Sequence, residues 1–195
     1  MAGMALFHFS EDPAIELFTP RPVAAPSERG AGRDWLNGPL VWAIEVAFAP
    51  MYLFPRDCPR IVLFPKSDSS AGDLADWFGD GKAKAIAHIE SDWLERLRVA
   101  TLYRYEFPSQ TFESLGDAGM HVSKTAVRPL TMRTMGSLPD ALTEAGVELR
   151  VIPDLSRLWE VWSTSLHVSG VRLRNSKGWV EAAERRTKLS GGQTA

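Results

Sequence analysis

The stretch from Pro39 to Arg60, PLVWAIEVAFAPMYLFPRDCPR, holds the densest run of residues able to do chemistry. Trp42 stands in an apolar segment between Val41 and Ala43, where an indole either floors a flat ring or fills the core. Glu45 ends that segment and can face a cleft or cap the element after it. Tyr52 can stack on a ligand, bond through its hydroxyl or simply pack. Arg56 and Arg60 lie in a turn with Asp57 and Cys58, stiffened by Pro55 and Pro59. Proline lowers the entropy lost in holding a charged geometry. Arginine suits phosphate, which it binds bidentately, yet an Arg-Asp pair bracing a turn has the same sequence. His8, between Phe7 and Phe9, points away from both if they enter the core. There it can donate to a sugar hydroxyl or be a structural histidine bonded to backbone. Arg21 and Arg33 can close on an anion or stay solvated.

Several chemistries are absent from the pattern. There is no Gly-x-Gly-x-x-Gly, Walker loop, His-Glu-x-x-His or nucleophile elbow. No carboxylate pair has a spacing that implies acid–base work. His88, His121 and His167 are far apart, and no metal site is expected. Cys58 is the only cysteine of 195 residues, so an intramolecular disulfide is excluded. It reads as a small buried hydrophobe. The net charge of −2 argues against a generally basic nucleic-acid-binding body. No apolar run approaches the roughly 20 residues of a membrane span, and the N-terminus lacks signal-peptide character. A cytoplasmic protein is expected.

The elements that must position these residues are short. Ala5–Phe9 reads as a strand, with Asp12-Pro13 opening a helix. Residues 19–35 are a loop or a lid. Leu40–Ile44 is a strand, Val46–Leu53 helix-like, and Arg60–Phe64 a strand. Ser70 and Asp73 have capping-box spacing before a helix ended by Gly79. Ala83–Ile89 is a strand and Asp92 caps a short helix. In Thr101–Phe107, Leu102, Arg104 and Glu106 oppose Tyr103, Tyr105 and Phe107. A strand, MHVS, lies within Gly119–Val127 and another is Leu130–Met135, then come a helix from Leu138 to Ala145 and a strand from Val147 to Ile152. Asp154 caps an amphipathic helix carrying Leu155, Leu158, Trp159 and Trp162. Strands outnumber helices without alternating with them, which predicts an α+β fold with a mainly antiparallel sheet and short peripheral helices. One globular domain over residues 1–176 and a charged, flexible tail over 177–195 are expected.

HFSEDPAIELFTPR, VWAIE, YLFPRDCPR, WLERLR, LYRYEFP, VSKTAVRPL and AGVELR resemble a bacterial family of small proteins of unknown function, over about Leu6 to Asn175. The order of elements also resembles the ADP-ribosyltransferase fold, a split and mainly antiparallel sheet. That resemblance implies NAD as cofactor, with His8 on the ribose and Trp42 and Tyr52 flanking nicotinamide. Arg56 or Arg60 would meet phosphate. The strand Gly119–Ser123, which should supply the catalytic glutamate, has none, so His121, Ser123 or Glu45 takes a different role, or the protein binds a nucleotide without transfer. Relatives of that fold that remove RNA phosphates use Arg and His instead, which keeps an RNA end open as a substrate. The expectation is thus a small-molecule nucleotide-binding protein, an ADP-ribosyl- or phosphoribosyl-transferase if an enzyme. The competing expectation is a non-catalytic ligand-binding or interaction protein.

Overall fold

The structure, a computed structural model, describes residues 4–24, 26, 30 and 32–184. It is a mixed α+β fold of mostly antiparallel sheets with short helices. The chain divides into two compact units, one running to Tyr52 and resuming over Thr101–Met135, the other comprising Leu53–Ala100 and the chain from Gly136.

The first unit is a six-stranded antiparallel sheet. Its strands are β1 (Leu6–Ser10), β2 (Val41–Glu45), β5 (Leu102–Phe107), β6 (Glu113–Ser114), β7 (Met120–Ser123) and β8 (Thr131–Met135). They lie in the order β6-β7-β2-β1-β5-β8. Alternation assigns each side chain to a face. Leu6, Val41, Ala43, Tyr105 and Phe107 form one core with Phe18 and Val127. The opposite face carries Phe7, Phe9, Trp42, Ile44, Arg104 and Val122, as the pairs Phe7↔Ile44, Phe9↔Arg104 and Trp42↔Val122 require. Trp42 packs there with Leu36, Leu40 and Val122.

The second unit holds a four-stranded sheet in the order β10-β3-β4-β9. These are β3 (Arg60–Phe64), β4 (Ala85–Glu90), β9 (Val147–Ile152) and β10 (His167–Val171). β3 and β4 are buried along their whole length, as central strands covered on both faces should be. In this sheet β4 and β9 run parallel, while β10–β3 and β3–β4 are antiparallel. The unit's helices include α1 (Ala71–Phe78), α2 (Leu94–Val99) and α3 (Leu138–Glu144). Ser70 caps α1 as its spacing predicts, accepting from the Asp73 N–H at 3.1 Å.

Three expectations need correction. No helix opens at Asp12. Asp12 Oδ1 accepts from the Ala14 N–H and Ser10 Oγ from the Asp12 N–H, and these local side-chain bonds replace helical ones. The Tyr105 hydroxyl then fixes the segment, donating to Asp12 O at 2.7 Å and accepting from the Ile15 N–H at 3.2 Å. Within Val46–Leu53 the structure forms only a 3₁₀ turn, Ala49–Tyr52, with Pro50 inside it. The amphipathic segment Leu155–Ser163 is also 3₁₀, broken at Leu158 (φ −93°, ψ 15°), and the chain then enters the strand β10. Of the loop over 19–35, residues 25, 27–29 and 31 lie outside the described residues. Its ordered parts include the bridge Arg21↔Leu40 and a 3₁₀ turn, Asp34–Asn37. Of the expected tail, residues 185–195 lie outside the described residues. Residues 179–184 are helical, and Trp179 packs on the second unit's core.

Candidate functional site

The first unit brings together five of the seven residues singled out by sequence, but on two faces of its sheet. His8 shares a face with Leu6. Its Nδ1 lies 2.9 Å from the carbonyl of Trp42 and donates to it. The regular β1–β2 ladder has only the pairs Leu6↔Glu45 and Phe7↔Ile44, so the imidazole bond takes over where the strands part. The ring packs against Phe18 at 4.9 Å and Phe107 at 6.0 Å. It is thus a half-buried brace inside an aromatic core.

Glu45 and His121 lie on that same face. Glu45 is the Cα partner of Leu6, and His121 of Ala43. Glu45 Oε1 is 2.7 Å from His121 Nε2, the imidazole side chain being 3% exposed and the carboxylate side chain 32%. The backbone also joins the two strands here, since the Glu45 N–H donates to Gly119 O at 2.9 Å. β7 carries no carboxylate of its own, and the one that reaches it comes from the neighbouring strand β2. A buried imidazole orients it, and its own outer end meets solvent. Such a pair can hold or pass a proton.

Trp42 and Tyr52 belong to the other face. The Tyr52 ring stacks on Phe9 at 6.4 Å and 16°, and its hydroxyl meets Met120 Sδ at 3.5 Å. Phe9, Trp42 and Tyr52 are each half-buried. Phe9 is the Cα partner of Arg104, and Arg104 of Arg133, so one row across β1, β5 and β8 runs aromatic, cation, cation. The Arg104 guanidinium sits 4.6 Å above the Phe7 ring. Sequence reading passed over Phe9, Arg104 and Arg133. The alternation in TLYRYEF does set Arg104 apart from the tyrosines, but nothing local shows that β8 will pair with β5 in a register that aligns two arginines.

Arg56 and Arg60 lie in the second unit. Arg60 is buried, 3% exposed, with Nη1 donating to Cys58 O at 2.9 Å and its guanidinium 5.1 Å from the Phe54 ring centroid. A guanidinium so enclosed braces its own turn. Arg56 is exposed. The turn is tied down through its backbone: Arg172 Nε donates to Arg56 O at 3.3 Å and Asn175 Nδ2 to Asp57 O at 2.8 Å. Among the described residues no group of three His, Cys, Asp or Glu is placed to hold a metal ion. No helix among them is long and apolar enough to cross a membrane.

A family model, described as a family of unknown function (DUF6886), matches residues 7–176. No curated protein matches the chain, and no solved structure does.

Proposed function

The chain belongs to that family of unknown function, and we propose that it is a nucleotide-binding protein, built on an ADP-ribosyltransferase-like split sheet and taking NAD or another phosphorylated nucleotide. The observation that carries this reading is the aromatic group on one face of the first unit. Tyr52 stacks on Phe9, and Trp42 lies on the same face, all half-buried and so able to take a flat base. The parting of β1 and β2 beyond Phe7↔Ile44 supports the split-sheet reading. In this proposal Trp42 and Tyr52 contact the base, while His8 and Arg60 act as braces. Transfer is left out, because the Glu45–His121 pair turns to the opposite face from Trp42. The test is a titration with NAD, ADP-ribose and adenosine, read by tryptophan fluorescence. Tyr52→Ala, titrated well below its own melting temperature, is expected to bind about tenfold or more weakly, since a base–aromatic stack contributes about 1–3 kcal/mol. Unchanged affinity in Tyr52→Ala, or no binding by the native protein, overturns it.

A second reading, transfer of ADP-ribose, is favoured by the 2.7 Å contact between Glu45 and His121, which returns a carboxylate to the strand where the fold uses one. It requires release of nicotinamide from NAD by the native protein and at least a hundredfold slower release in Glu45→Gln. Equal release in the two sinks it.

A further inference from the structure

Resting on the nucleotide reading above, we infer that Arg104 and Arg133 form its phosphate subsite, gripping a phosphoryl group while the Phe9, Tyr52 and Trp42 side carries the base. The two arginines are direct Cα partners across β5 and β8. Partners in an antiparallel ladder share a face and lie about 5 Å apart at Cα. Like charges so placed repel, and a protein ordinarily answers them with a carboxylate. Here, among the described residues, no carboxylate pairs with either guanidinium. Glu106, two positions beyond Arg104 on the same face, instead accepts from the Thr131 hydroxyl at 3.3 Å. The pair stands unneutralised in a chain whose net charge is −2.

The surroundings suit an anion. Arg104 is half-buried and lies over Phe7 at 4.6 Å, so one face of its guanidinium is fixed by the ring while its N–H edge stays available. Arg133 is exposed on β8, the terminal strand of the sheet, and can swing onto the same ligand. Two guanidiniums in register offer paired donors to one phosphoryl group or to the neighbouring groups of a diphosphate. Phe9 is the next member of the row and touches Tyr52. Charge and stacking surface are therefore contiguous, as recognition of a phosphorylated nucleotide requires.

The experiment titrates ADP, adenosine and inorganic pyrophosphate into the native protein and into Arg133→Gln, Arg104→Gln and Tyr52→Ala, with melting temperatures measured without ligand. ADP is expected to bind at least tenfold tighter than adenosine, since a hydrogen bond to a charged group typically contributes that much. Arg133→Gln should remove this advantage, leave adenosine binding unchanged, and keep or raise the ligand-free melting temperature by relieving the repulsion. Equal affinity for ADP and adenosine, or an Arg133→Gln protein that binds ADP as the native one does, overturns the subsite. So does absence of ADP and pyrophosphate binding. If adenosine alone binds, and does so through Tyr52, the base-binding reading stands without the subsite. If pyrophosphate binds through Arg133 while adenosine does not bind and Tyr52→Ala changes nothing, the subsite stands and the base-binding reading fails.

Discussion

Cys58 and Arg60 show how a residue type is turned by its neighbours. Cys58 is fully buried, and burial pushes its thiol up to about 12, against the partial relief of Arg60 and Arg96. A thiol held protonated is a poor nucleophile. Native protein at pH 8 should therefore leave Cys58 unmodified by iodoacetamide over hours, and urea-unfolded protein should be labelled fully. Rapid labelling of the folded protein would show an accessible thiolate. The rigidity of the LFPRDCPR turn was legible in its prolines. Which arginine points inward was not. Arg56 and Arg60 look alike in sequence, and only the start of β3 at Arg60 makes one a buried brace. The same limit left His8's two readings side by side, since the backbone carbonyl it bonds lies 34 positions away.

Among elements, the strands were the most legible, because alternation is a property of the local sequence. Arg60–Phe64 and Val147–Ile152 have the expected bounds, and the two faces of TLYRYEF separate as read. The helical pieces were less so, because an apolar stripe at helical spacing does not distinguish α from 3₁₀ winding, and β10 comes after Leu155–Ser163 without a local signal strong enough to announce it. The connection entering β7 carries the feature with the sharpest consequence. Gly119 has φ +66°, and a Cβ placed on it would lie 2.9 Å from Phe48 Cδ2 and 3.0 Å from Glu45 Cβ. Gly119→Ala thus meets both an unfavourable backbone region and crowded neighbours, one of them the residue bonded to His121. The variant should lose about 1–3 kcal/mol of stability, read as a lower urea midpoint. The His121 ring resonances in its NMR spectrum should move as Glu45 is displaced. A native midpoint with native His121 shifts would show that the turn absorbs the methyl group without cost.

For the whole molecule, two groups that make stability depend on pH, His88 and Asp73, both lie in the second unit. His88, Cα partner of Arg150 in the second unit, is 3% exposed, and burial, reinforced by Arg150, lowers its pKa from 6.5 to about 4. The unfolded chain therefore binds a proton below pH 6.5 that the folded chain refuses, so stability rises with pH across the interval from 4 to 6.5. Integrated over that interval, the loss on acidification is about 3 kcal/mol. Asp73 acts lower down. It accepts from the Ser165 N–H and hydroxyl at 2.7 and 2.6 Å and from the Ser70 hydroxyl at 2.9 Å, which hold its carboxyl below the ordinary 3.8. What it contributes is present above that pH and disappears as pH falls through its lowered value. Both groups lie in the second unit, as do Trp77, Trp93, Trp159, Trp162 and Trp179. Tryptophan fluorescence should consequently report a urea midpoint that declines steadily from pH 6.5 to 4 and further below 4. His88→Asn should flatten the upper interval while leaving the lower one. A midpoint independent of pH between 4 and 6.5 in the native protein would mean that His88 takes up its proton without opposing the fold.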